Sequence, residues 1–149
     1  MTPVAVIDIG TNTTRLLVAE VEYGQVVEVE RRTIITRLGQ DVDATGRLAE
    51  EAMDRVAEAI AGYRELIDRL GAERIVAVAT SAMRDSENGP DFHDYLNEKH
   101  GVDARTISGD EEAIARMAEH TELMQRPVVV RGDRAVLARP VERVAELLD

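Results

Sequence analysis

Three short segments concentrate the residue types that handle phosphate. Asp8-Ile9-Gly10-Thr11-Asn12-Thr13-Thr14-Arg15 places a carboxylate at the end of an apolar run, then a glycine, an amide, three threonine hydroxyls and a guanidinium. A hard carboxylate suits a hydrated Mg²⁺, a glycine-bearing turn can aim backbone N–H groups at an anion, and Arg matches phosphate oxygens as a planar fork. The same residues also make an ordinary hairpin turn, and the local pattern leaves both readings open. Thr80-Ser81-Ala82-Met83-Arg84-Asp85, with Asn88, follows a second apolar run. Hydroxyls and a guanidinium there would project from the carboxyl edge of a sheet, where α/β sheets bind ligands. The competing reading is an exposed loop in which Arg84 pairs with Asp85. Ser108-Gly109-Asp110-Glu111-Glu112 opens a third apolar-faced stretch. Carboxylates in a first helical turn complement the macrodipole, or one of them is a general base within reach of a water.

Positioning these segments requires a sheet. Val4–Ile9 reads as a buried strand, Thr11–Thr14 as a turn, and Leu16–Glu22 and Gln25–Arg37 as two more strands in an antiparallel meander. Gln40–Arg47 reads as a polar loop. Apolar residues from Ala52 to Leu70 then recur at steps of three and four, with Gly71 at the expected C-cap. Arg74–Ala79 is a short β-branched strand, Thr80–Gly89 a loop, and Pro90 opens a second helix that Gly101 ends. Val102–Ile107 is a fifth strand, followed by a helix with Ala113, Ile114, Met117 and Ala118 on one face. Beyond His120 the pattern becomes a hairpin, Arg126–Val130 and Ala135–Ala138 around Arg131–Arg134, and a last helix opened by Pro140.

Composition narrows the function classes. The 149 residues are 44% hydrophobic and 32% charged, the profile of a folded globular chain. The absence of Cys excludes disulfides, thiolate metal sites and thiol catalysis. No apolar run is long enough for a membrane span, and no secretory leader is seen, so a cytoplasmic location is expected. A net charge of −11 argues against nucleic acid and anionic membranes as partners. An anionic small substrate would need a local cluster of donors. His93, His100 and His120 lack metal-ligand spacing.

Taken together, Val4 to about Glu112 resembles the N-terminal domain of the exopolyphosphatase/guanosine pentaphosphate phosphohydrolase (Ppx/GppA) family, within the actin-like ATPase superfamily. Four separated motifs carry the likeness: Asp8–Asn12 with Arg15-Leu16-Leu17, Arg37-Leu38-Gly39 followed by Asp43–Leu48, Ala79–Asp85, and Ile107–Ala113. The resemblance implies a ribonuclease H-like half-domain of order βββαβαβα. It implies a first phosphate loop at Gly10, Thr11, Asn12 and Thr13, Mg²⁺ beside Asp8, and phosphate contacts from Arg15, Ser81 and Arg84. Glu112 would be the base that activates water, on polyphosphate or a (p)ppGpp tail. The family's second phosphate loop is glycine-rich, and after Glu112 only Gly132 remains.

From about Asp110 to Leu148 the chain resembles the C-terminal part of ArsC-type arsenate reductases, a thioredoxin-like β-hairpin and C-terminal helix. Met117–His120, Leu123–Val130, Ala138-Arg139-Pro140 and Val144–Leu148 carry that likeness. It places Arg126 and Arg139 at oxyanion-binding positions and Pro127 at a cis proline. Solvent-exposed charge beside a hairpin is the plainer reading of both arginines. Without Cys, reductase chemistry is not expected. The two likenesses meet near Asp110–Ala113, as in a natural fusion or an engineered chimera.

The resulting expectation is a single compact α/β domain, 1–112 of one kind and 113–149 of the other. It binds inorganic phosphate or polyphosphate as a half-site, or is a scaffold with little or no turnover. The alternative is a Mg²⁺-dependent exopolyphosphatase. A homodimer could supply a second wall to the cleft.

Overall fold

The computed structural model describes residues 2–23, 25–106, 128–131 and 134–137. Contacts divide the chain into two units, Met1–Ile107 and Ser108–Asp149. The first holds a five-stranded sheet of β1 (Val4–Ile9), β2 (Thr13–Glu22), β3 (Gln25–Ile35), β4 (Arg74–Ala79) and β5 (Ala104–Thr106). Their spatial order is β3-β2-β1-β4-β5. β1, β2 and β3 pair antiparallel, as short turns dictate, whereas β4 lies parallel to β1 and β5 parallel to β4, as helical crossovers dictate. The second unit contains an antiparallel pair, β6 (Val128–Arg131) and β7 (Arg134–Leu137).

The helices are α1 (Val42–Thr45), α2 (Glu50–Leu70), α3 (Ser81–Arg84) and α4 (Gly89–His100). The three- and four-residue apolar steps of α2 bury Ala52, Val56, Ala59, Ile60, Tyr63 and Ile67. Gly71 ends it at φ 72° and Gly101 ends α4 at φ 65°, both left-handed caps that glycine reaches without a Cβ penalty. One core joins Ala5, Ile7, Ile9, Leu16 and Val18 of the sheet to Val56, Ile60 and Ile67 of α2 and to Phe92 and Leu96 of α4.

Several boundaries differ from expectation. Thr13 and Thr14 belong to β2 rather than to the turn, because they pair with Ile35 and Ile34 across the ladder. β1 is buried on alternate residues only, leaving Val4, Val6 and Asp8 half-buried. The expected loops at 40–47 and 80–89 each contain a helical turn, α1 and α3. The described part of the fifth strand is shorter than 102–107. The helices expected after residue 107 and after Pro140 lie outside the described residues, as do Glu112, Arg126, Pro127 and Arg139. No helix among the described residues is long and apolar enough to cross a membrane.

Candidate phosphate site

The site is built where β1 and β4 end side by side. Because the two strands are parallel, Ile9 and Ala79 stand in register, and the segments that follow them leave the same sheet edge. Thr80 fastens the two exits together. Its amide donates to the Ile9 carbonyl at 3.1 Å and its hydroxyl to the same oxygen at 3.3 Å.

The turn after β1 is held by its own carbonyls. Gly10 N–H donates to Thr13 O at 2.8 Å, and Gly39 N–H to Thr11 O at 3.0 Å. Thr36 and Arg37 N–H both donate to Asn12 O at 3.0 Å. Three successive carbonyls thus turn toward protein donors. An anion approaching the turn therefore meets fewer lone pairs, although the Gly10 N–H is itself spent within the turn. Thr11 and Asn12 are exposed, while Gly10 and Thr13 are half-buried.

Glycine is required here by close approach. A Cβ on Gly10 would sit 2.9 Å from Thr13 O, and one on Gly39 would overlap the Thr11 methyl. Arg37 occupies the left-handed region at φ 50°, uncommon for a residue with a side chain. Its amide nevertheless holds the Asn12 carbonyl, and its side chain is exposed. The Arg37 amide bond to Asn12 O is a role that the motif by itself does not reveal.

A buried polar brace lies beneath the turn. Thr14 and Thr36, both fully buried, share a hydroxyl–hydroxyl bond of 2.9 Å. Tyr63 from α2 donates its phenol to Thr14 O at 2.6 Å, and burial pushes that phenol's pKa up to about 12. Arg55 Nε donates to Thr36 O at 2.7 Å while its Nη2 holds Gln40. Tyr63 fits the α2 periodicity as a core residue, so only its hydroxyl could have signalled this second role.

Asp8 and Arg15 are register partners across β1 and β2, and cross-strand partners share a sheet face. That face is opposite the α2 core, because Ile7, Ile9, Thr14 and Leu16 point the other way. Asp8 is half-buried and Arg15 exposed. Ser81 opens α3 and is exposed. Arg84, in the same helical turn, grips Asp85 with Nε at 2.7 Å and Nη2 at 3.1 Å. That charge-assisted fork raises the Arg84 pKa and lowers that of Asp85. The pairing weighed against a phosphate role is therefore present. The Asn88 amide is bonded to Leu48: its Oδ1 accepts from Leu48 N–H at 2.7 Å and its Nδ2 donates to Leu48 O at 3.0 Å, bracing the chain before α2 against α4.

Among the described residues no group of three or more His, Asp or Glu gathers to hold a metal. A cation here would rest on Asp8 and complete its shell with phosphate and water oxygens, a coordination habit that fits Mg²⁺.

The model of the Ppx/GppA phosphatase family matches residues 17–130, a span that includes the Thr80-Ser81 segment and begins a few residues after the Gly10–Thr13 turn. The chain belongs to that family. The Ppx/GppA match runs through the 110–113 segment where the two sequence likenesses meet. Exopolyphosphatase 2 of Mycobacterium tuberculosis is 47% identical over 122 residues, covering 76% of this chain and 38% of that protein. The crystal structure of the Aquifex aeolicus Ppx/GppA family member superposes with a TM-score of 0.73 at 32% identity, covering 85% of this chain and 42% of that one. The type II variant of the Aquifex aeolicus phosphatase gives 0.75 at 25% identity over 98% of this chain and 55% of that one. The chain thus spans well under half the length of that exopolyphosphatase.

Proposed function

We propose that this chain is the phosphate-binding half of a polyphosphate-directed site. Gly10–Thr13 forms the loop that receives a terminal phosphoryl group, with Arg15, Ser81 and Arg84 supplying donors and Asp8 the metal-side carboxylate. What supports this reading is the pair of Thr80 bonds to Ile9 O, which hold the two donor-bearing segments at one sheet edge. When bound, Mg²⁺ would neutralise charge on the phosphoryl oxygens. The residues' own part is orientation: the turn fixes the anion's position, and the arginines offset its charge.

Phosphoryl transfer needs donors on both sides of the transferred group. With Glu112 alone as base, we expect binding of phosphate or polyphosphate with little turnover. The Arg126 and Arg139 positions and the arsenate reductase-like C-terminus of a chimera belong to the same proposal, as a separate oxyanion-binding piece without redox chemistry. A soluble, cytoplasmic protein without nucleic-acid or membrane partners completes it.

The test is phosphate release from long-chain polyphosphate with Mg²⁺, run beside calorimetric binding, for the wild type, Glu112→Gln and Arg84→Ala. Binding that weakens several-fold in Arg84→Ala without phosphate release supports the half-site. Release abolished by Glu112→Gln establishes the alternative, a Mg²⁺-dependent exopolyphosphatase or (p)ppGpp phosphohydrolase. Neither binding nor release refutes both and leaves a scaffold.

A further inference from the structure

β3 ends the sheet, and its burial pattern is exposed along nearly its whole length. An edge strand of this kind presents a row of outward backbone donors and acceptors, which natural proteins usually protect. Here the edge also carries Val26, Val27, Val29, Ile34 and Ile35, all exposed, with Ile35 at 65%. No proline or lysine interrupts Gln25–Ile35.

The strand's sequence is self-complementary when read in opposite directions. Its first half is apolar then acidic, Val26-Val27-Glu28-Val29-Glu30, and its second half basic then apolar, Arg31-Arg32-Thr33-Ile34-Ile35. Antiparallel pairing of two copies would set Val26 against Ile35, Val27 against Ile34 and Glu28 against Thr33. Around the axis, Glu30 of each copy would face Arg32 of the other, and Arg31 would stand opposite its own counterpart on the face that also carries Glu28 of both copies. Within one copy these charges already pair locally, Glu28 with Arg31 and Glu30 with Arg32. Such exposed pairs contribute little and exchange readily.

The pleat normally forbids that register. A two-fold axis normal to the sheet must match residues on the same face, which in an unbroken strand pairs odd numbers with odd and even with even. β3 is broken: the ladder to β2 passes from Val18↔Glu30 to Ala19↔Glu28, leaving Val29 as the extra residue of a bulge. The bulge shifts the alternation by one. Val26 and Glu28 then share the Arg15 face with Thr33 and Ile35, while Val27 and Ile34 share the α2 face. The halves of two copies match in face as well as in chemistry.

Space for the partner exists on the α2 side. A groove of about 550 Å³ runs between β3 and α2, lined by Arg32, Ile34, Arg55, Glu58, Gly62 and Leu66 among others. Gly62 stands mid-helix, where glycine costs about 1 kcal/mol against alanine. No neighbour requires it, since a Cβ there meets nothing within 4 Å.

We propose that β3 is a homodimerisation edge, pairing antiparallel with β3 of a second copy through the register that the Val29 bulge permits. The proposal is independent of the phosphate reading, because no residue of that site is altered in its test.

Two opposite charge reversals test it in the full chain by sedimentation velocity. Arg31→Glu with Arg32→Glu makes the strand's centre wholly acidic, and Glu28→Lys with Glu30→Lys makes it basic. The wild type should dimerise, each double variant should be monomeric, and an equimolar mixture should recover a heterodimer. Folding of each variant is checked independently by its circular dichroism melt. A second readout uses the cysteine-free background: Val27→Cys with Ile34→Cys should form interchain disulfides on mild oxidation. A wild type monomeric at the highest soluble concentration overturns the proposal. So does a dimer that survives both charge reversals or fails to cross-link.

Discussion

The glycines of the phosphate edge and the glycine of the β3 groove solve opposite problems. Gly10, Gly39 and Gly89 sit where a Cβ would strike Thr13 O, the Thr11 methyl or the Met83 carbonyl. Gly62 has open space around it. At the first edge glycine lets backbone approach backbone, so that segments from three parts of the chain converge on one turn. In the groove it leaves room and contributes nothing to the packing of its own unit. A crowded glycine is explained by its neighbours in the same fold, and an uncrowded one in a helix points outward to a partner or to none.

Substitution should separate the two kinds. Gly89→Ala drives a methyl into the Met83 carbonyl at the start of α4, where backbone cannot yield cheaply. We expect a loss of about 2–3 kcal/mol, measured by chemical denaturation. A stability unchanged from wild type would show that α3 and α4 slide apart more freely than their packing implies. Gly62→Ala should instead stabilise the chain by about 0.5–1 kcal/mol, since it removes helix-interior glycine without a clash. That gain is expected at concentrations where the chain is monomeric, and a loss that grows with protein concentration would mean that a second copy sits in the groove.

The smallest expected effect concerns a contact outside both regions. His93 on α4 bonds Asp103 at 2.8 Å and Asp94 at 3.1 Å. Asp103 first, then Asp94, raises the His93 pKa above its ordinary 6.5, while His93 lowers that of Asp103. The folded state therefore holds the imidazole proton more tightly than the unfolded chain. That stabilisation is full below the unfolded His value and fades as pH rises through the raised folded one. On the acid side it is lost as Asp103 protonates. A partly exposed pair of this kind contributes at most about 1 kcal/mol. His93→Gln should flatten the stability profile between neutral and mildly alkaline pH, and an unchanged slope would show that the contact does not persist in solution.

How far the sequence carried these conclusions depends on the range of each interaction. β1 and β4 were legible to the residue because local apolar runs end at sharp polar punctuation, Gly10 and Thr80. The α2 cap was legible because Gly71 stands one residue past the last apolar step. The Thr14–Thr36 bond and the Tyr63 phenol were not, since both depend on strand register rather than on residue spacing. Asn88 was read toward phosphate by its nearness to Arg84, whereas its amide is spent on Leu48. The Val29 bulge had no sequence signal, because valine is what an ordinary strand would carry there. For the phosphate site, the chemistry of Asp8, Arg15 and Arg84 was legible as residue types, but which sheet face each took was set by pairing.

The Thr80–Ile9 bonds also bear on the order of events during folding. They close a span of 71 residues, and the turn after β1 hangs on that closure and on bonds to Thr36, Arg37 and Gly39. Contacts so distant in sequence form only after the intervening elements have collapsed. A nascent chain that has emerged only as far as α2 would possess the first loop and its bonds from Thr36, Arg37 and Gly39, but not the Thr80 contacts that bring Ser81 and Arg84 to the same edge. Competence to grip an anion is therefore acquired late, when β4 docks beside β1. It should be lost with the whole sheet rather than by local fraying, so the Thr80 amide should exchange its hydrogen only through global opening.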